Sequence, residues 1–216
     1  MICLADNDFV LKLAACDLLN ETLDVLGLDR SEVYVLPTAK YKIAKDKRLP
    51  ARYGEGVGRA LTFLASVVEI SFTPDPDELV LLSEVKDSET GERSIHEGER
   101  VLLASTSGLD DFLLATGDKN CLRALSSAPG CAAIRARCGG RVVCLEQTIL
   151  WLIDANGFEY VRAKAVPARG CDTALRAAFG SGMDATQENV TLALTAYIEE
   201  LDQETAGLLK RSRQHE

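Results

Sequence analysis

The sequence predicts an α/β fold in which a parallel sheet is covered on both faces by helices. Two observations support this. Short apolar runs at residues 1–5, 33–36, 112–115 and 141–145 suit strands buried on both faces, although 33–36 also admits a helix entry. Longer stretches with apolar residues at helical spacing follow them. Strands that alternate with helices form parallel sheets with helices on either side. The expected division is an α/β domain over residues 1–155 and a helical extension over 156–216 packed on it.

Taken in order, residues 1–5 form the first strand and Asp6, Asn7 and Asp8 stop it. Asp8 is a plausible N-cap for a helix over 9–27, with Phe9, Leu13, Leu18, Leu19, Leu23 and Leu26 on its apolar face and Gly27 at its end. A basic stretch runs from Ala39 to Pro50, and residues 57–69 read as another helix. Asp75 and Asp77 can cap a helix reaching about residue 86, with a polar turn from Asp87 to Arg93. An apolar helix then runs through Ala104, and Gly108 ends it. Phe112 to Ala115 is a buried strand that Thr116, Gly117 and Asp118 terminate, and a short helix with Cys121, Leu122 and Leu125 follows. Gly139 and Gly140 turn the chain into the 141–145 strand, which ends at Glu146. The tail from about 157 is helical, with its last piece over 185–210.

Composition narrows the function classes. With 47% hydrophobic and 26% charged residues, the 216-residue chain can fill a sizeable core. Its net charge of −9 means that only a local basic patch would draw nucleic acid. Seven cysteines without a CxxC pair, and only two histidines, argue against structural zinc. No signal peptide and no apolar span of membrane length is evident, so the reading is a cytoplasmic chain with reduced thiols.

The candidate chemistry lies in acids. Asp6 ends the first strand and Asp118 follows the 112–115 strand, so parallel neighbours would deliver both to one sheet edge, where ligands of such sheets bind. Glu99, in the first turn of the helix before the second of these strands, can face them. Two carboxylates about 5 Å apart repel by roughly 3 kcal/mol at an effective dielectric near 20. Three must protonate, separate or bind a cation. Hard oxygen donors favour Mg²⁺ or Mn²⁺. Acids after strands also serve as plain helix caps, and each of these admits that reading.

At these residues the sequence resembles the PIN-domain nucleases. The family opens with a short apolar strand and an acidic turn, here Asp6-Asn7-Asp8. It later carries a Gly-Glu pair opening an apolar helix, here Gly98-Glu99, and then a strand ending in Thr-x-Asp, here Thr116-Gly117-Asp118. The resemblance covers about residues 1–150. It implies a three-layer α/β/α fold and a Mg²⁺- or Mn²⁺-dependent ribonuclease with Asp6, Glu99 and Asp118 as metal ligands, in which a metal-activated water hydrolyses the phosphodiester. The family's frequent fourth acid is Asn120 here, and Asp8 stands where Asn is common. Asp8 or Glu97 would compensate for the missing charge, and Thr116 would hydrogen-bond an acid or a water. An inhibitory partner protein is a further implication, and the apolar C-terminal helix makes a homodimer plausible.

Other residues complete the expectation. Lys12 would contact substrate phosphate, balance the acids or snorkel outward. Lys40, Lys42, Lys45, Lys47 and Arg48, with Arg52 and Arg59 extending them, would track an RNA backbone or form a solvated face. His96, as a general acid or base or else as a surface or capping residue, and Glu146, at the end of a strand, are weaker candidates. Two alternatives use the same acids. A catalytically silent binding or oligomerisation module would keep them as structure. A phospho-receiver would need an aspartate near 50–55, where the chain has Pro50, Ala51, Arg52 and Tyr53.

Overall fold

The computed structural model describes residues 1–86 and 94–211. The turn expected from Asp87 to Arg93 lies outside the described residues. Five strands, β1 (Ile2–Ala5), β2 (Val33–Val35), β3 (Val68–Glu69), β4 (Phe112–Thr116) and β5 (Val142–Cys144), form one all-parallel sheet in the order β3-β2-β1-β4-β5. Among the described residues, thirteen α-helices accompany them. β1 lies between β2 and β4, with Ile2 opposite Phe112 and Ala5 opposite Ala115. The chain steps outward from β1 through β2 to β3, then returns to the other side of β1 for β4 and β5. The order therefore reverses between β1 and β4. Such a reversal opens a crevice beyond the carboxyl ends of the two strands.

The central strands form because their side chains fit a surface buried on both faces. All five residues of β4 and all three of β5 are buried. β2 settles the segment over 33–36 as a strand. β3 is a strand where the sequence suggested helix to residue 69. The helix Gly56–Leu64 stops earlier, and the β-branched Val67, Val68 and Ile70 suit the sheet edge better. That helix crosses the helix Asn7–Ala15 closely enough that a Cβ on Gly56 would sit 2.6 Å from the Ala15 backbone.

The helix expected over 9–27 is instead two, Asn7–Ala15 and Leu19–Leu26, separated by Asp17 in the left-handed region at φ 54°. Leu13 and Leu18 are both fully buried. On one straight helix, positions five apart diverge by about 140°, so the break lets both reach the core. Gly27 ends the second helix with φ 66°, as its sequence position suggested.

The C-terminal helices Phe158–Ala168, Thr173–Ala178 and Gln187–Thr205 share one apolar core with the sheet, running from Cys3 to Leu209. Gln187–Thr205 packs on the helices Lys119–Ser127 and Leu145–Asn156. The segment after it lies along β5: Val142 N donates to Leu208 O at 3.1 Å and Lys210 N to Val142 O at 2.7 Å. This covers an otherwise open sheet edge. Among the described residues, no helix is long and apolar enough to cross a membrane.

Candidate functional site

Three predicted acids meet at the crevice between β1 and β4. The Asp6 amide donates to Ala115 O at 2.9 Å and carries the β1–β4 pairing one residue past the strand. Asp6, not Asp8, is the N-cap of the helix Asn7–Ala15: its backbone is still extended, and its Oδ2 accepts from Asp8 N at 3.3 Å. Asp118 caps Lys119–Ser127, its Oδ1 accepting from Asn120 N at 2.9 Å and Cys121 N at 3.1 Å. Thr116 Oγ1 accepts from Asp118 N at 3.1 Å, so this buried hydroxyl shapes the turn that presents the carboxylate. Glu99, in the first turn of Glu97–Ala104, accepts from His96 N at 2.7 Å. His96 is thus the residue at the helix start, in keeping with its capping role.

The electrostatics of this group are unbalanced. Asp6 and Glu99 are each only 8% exposed. Burial, with the hydrogen bond and charge of Asp118 and a contribution from Asp6, pushes the Glu99 carboxyl up to about 9 against the His96 amide. Burial, then the charges of Asp8 and Asp118, raises Asp6 to about 7 despite the amides of Asn7 and Asp8. The nearby Cys121 thiol, hydrogen-bonded to Glu99, is raised chiefly by burial and then by the same acids. Among the described residues, no group of three His, Cys, Asp or Glu is arranged to hold an ion as it stands. Each acid has an oxygen on a backbone amide instead. The donor set is nevertheless hard oxygen, buried and mutually repelling, which fits Mg²⁺ or Mn²⁺ by chemistry.

A second acidic group lies beside the first and is neutralised from within. Lys12 is 5% exposed. Its Nζ reaches Asp8 Oδ2 at 2.5 Å, Asp172 Oδ2 at 2.8 Å and Gly117 O at 3.1 Å. An ammonium has three N–H donors, and all three are occupied. Lys12 therefore neither snorkels nor has a donor left for a phosphate; of its predicted roles, balancing acids is the one its geometry serves. Tyr53 Oη donates to Asp8 Oδ1 at 3.1 Å. Asp172 caps the helix Thr173–Ala178 through Ala174 N at 2.7 Å. Burial would raise Asp172, but the Lys12 charge and hydrogen bond lower it. Between the two groups sits Gly117, where a Cβ would lie 2.7 Å from Asp8 Oδ2 and 3.2 Å from Lys12 Nζ. Asp172 and Tyr53 escaped the sequence reading. An Asp before Thr-Ala-Leu reads only as a cap, and a tyrosine just past the basic stretch has no local mark of burial.

The remaining candidates divide. Glu97 points outward, 77% exposed, with Lys42 at 3.7 Å, and does not join the acids. Asn120 is exposed and its Oδ1 accepts from Arg123 at 3.4 Å. With Asp118 it lines an open groove of about 990 Å³ that also takes in His96, Arg123 and Lys86. Glu146 is buried and paired with Lys119, which stacks over the Tyr197 ring. The helix Ala39–Lys45 leaves the same sheet edge after β2. Lys40 pairs with Glu69 at 2.6 Å and Arg48 with Asp46 at 2.8 Å, while Lys45 and Lys47 have no ion-pair partner among the described residues. Arg52 and Arg59 do not extend this strip, because Arg52 donates to Cys171 O and Arg59 to Ala14 O.

Together these features define a parallel α/β protein with a cluster of acids at its topological switch point. Comparison with models of known protein families, with curated proteins and with solved structures gives no significant match.

Proposed function

We propose that the chain is a Mg²⁺- or Mn²⁺-dependent nuclease of the PIN-like kind, acting on RNA. The observation that carries this reading is the convergence of Asp6, Glu99 and Asp118 with no internal cation, which leaves Asp6 near 7 and Glu99 near 9. Asp6, Glu99 and Asp118 are the residues that would hold the ion, which when bound supplies charge neutralisation and Lewis acidity for phosphodiester hydrolysis.

The chain's own residues set the geometry. Thr116 and the Gly117 turn aim Asp118, the β1–β4 pairing places Asp6 beside it, and the first turn of Glu97–Ala104 brings Glu99. Lys12 holds Asp8 through its Oδ2 at 2.5 Å. Lys45 and Lys47, without an ion-pair partner among the described residues, supply the positive charge that a polyanion needs near an acidic edge. Asp6→Asn should abolish Mn²⁺-dependent cleavage of single-stranded RNA while the far-UV circular dichroism stays native. Undiminished cleavage by that variant at saturating Mn²⁺ would refute the assignment.

One observation favours a second reading, a catalytically silent binding module. Asp6 and Asp118 already cap helices, and Glu99 holds the His96 amide. In that case millimolar Mn²⁺ leaves the melting temperature unchanged, since a ligand stabilises a native state only by binding it.

A further inference from the structure

Taking Asp6, Glu99 and Asp118 as the functional centre proposed above, we infer that Lys12 and Asp172 are its positioning residues. Asp172, at the start of the C-terminal helix Thr173–Ala178, holds Lys12 so that the ammonium fixes the Gly117 turn from which Asp118 is presented.

The contacts run without a gap from the C-terminal helices to the centre. Asp172 uses both of its oxygens. Oδ1 accepts from Ala174 N at 2.7 Å and from Leu175 N at 3.2 Å, which anchors the carboxylate to its own helix. Oδ2 lies 2.8 Å from Lys12 Nζ. Lys12 Nζ donates in turn to Gly117 O at 3.1 Å, the carbonyl of the peptide bond leading into Asp118. Asp118 N then donates to Thr116 Oγ1, and Asp118 Oδ1 accepts from the amides of Asn120 and Cys121.

Three features make this a clamp and not an incidental ion pair. Lys12 and Asp172 are both buried, and the three donors of the ammonium are spent on Asp8, Asp172 and Gly117, so its direction is fixed. The helix Leu49–Tyr53 secures both acids that flank it. Tyr53 Oη donates to Asp8 Oδ1 at 3.1 Å, while Arg52 Nε and Nη2 donate at 3.1 and 2.7 Å to the carbonyl of Cys171, the residue before Asp172. The clamp also closes on the turn itself, since a Cβ on Gly117 would lie 2.7 Å from Asp8 Oδ2. A turn gripped at its carbonyl and crowded at its Cα has little freedom to swing Asp118 away from Asp6 and Glu99.

Groups just behind a metal ligand orient it, and their loss typically weakens metal binding about 10- to 100-fold. Lys12 and Asp172 act one step further back, through the backbone, so the lower end of that range applies.

Full-length Asp172→Asn tests this. Asparagine keeps the N-cap but loses the charge that holds Lys12. Amide exchange followed residue by residue by NMR should quicken roughly tenfold or more at Asp118, Asn120 and Cys121. The Asp6 amide, paired with Ala115 O, should keep its rate. Isothermal titration should show Mn²⁺ affinity falling about tenfold. Tyr53→Phe, which leaves every charge in place, should give both changes at smaller size, and it serves if Asp172→Asn does not fold. Glu78→Gln breaks a partly buried ion pair with Arg137 in another part of the molecule and should give neither change. Unchanged exchange in the turn overturns the inference, as does faster exchange with unaltered Mn²⁺ affinity, or an equal response from Glu78→Gln. A wild type that binds no Mn²⁺ sinks the metal reading instead, and the exchange rates alone then decide whether Asp172 holds the turn.

Discussion

Two groups of acids share the carboxyl edge of this sheet and have opposite electrostatic fates. In the first, Asp8 and Asp172 close on the buried ammonium of Lys12, and Asp172 is held below its usual range even though burial opposes it. In the second, Asp6, Glu99 and Asp118 close on one another, and the first two are raised to about 7 and about 9. Burial and neighbouring helix starts are common to both. The difference is one cation supplied by the chain. The first group is a finished structural element, whereas the second is complete only when protonated or when a cation arrives from outside.

The largest effect should come from removing the internal cation. Lys12→Met leaves Asp172 buried and unpaired, and should cost on the order of 3–5 kcal/mol in a urea midpoint experiment. If the midpoint hardly moves, the first group is not held together by charge.

The pH response of the second group comes next. A carboxyl raised on folding binds more protons in the native chain than in the unfolded one, so stability falls as pH rises between the two values. The window opens at the ordinary values of 3.8 for Asp6 and 4.5 for Glu99 and closes at about 7 and about 9. The metal-free melting temperature should fall by roughly 5 °C or more between pH 5 and pH 9. Millimolar Mn²⁺ should restore it at pH 9 and do little at pH 5, where the acids keep their protons. Thermal scans at the two pH values decide this. A flat metal-free profile would show the acids to be relaxed apart in solution.

A smaller effect of opposite sign to the lysine change sharpens the contrast. Asp6→Asn keeps a good N-cap but removes one of three repelling charges, and should stabilise the metal-free chain at pH 9 by about 1–2 kcal/mol. The smallest expected effect is Tyr53→Phe, which removes only the hydrogen bond to Asp8 and should cost about 1 kcal/mol. Both are read from denaturant midpoints against the wild type.

Much of the second group was legible before any fold was known. Asp6 follows a four-residue apolar strand, Asp118 follows another, and Glu99 opens an apolar helix, so strand pairing brings the first two to one edge and the helix start brings the third. The first group was not legible. The sequence offered Lys12 as a possible counter-charge, but Asp172 reads only as a cap, and nothing within a few positions of either announces the other. Asp8 was misjudged for a related reason. A run of acids admits a cap at any of its members, and only the backbone angles at Asp6 decide which one takes it.

The order of apolar runs, their alternation with helical spacing and the acids at strand ends determined the parallel sheet and its loaded edge, because those signals act over a few residues. Tertiary structure alone decided the break at Asp17, the short β3 and the burial of Lys12. Each of these is settled by packing between distant segments, as when Lys12 reaches Gly117 from 105 positions away. Such packing can outweigh a local preference of about a kilocalorie per mole without any local trace.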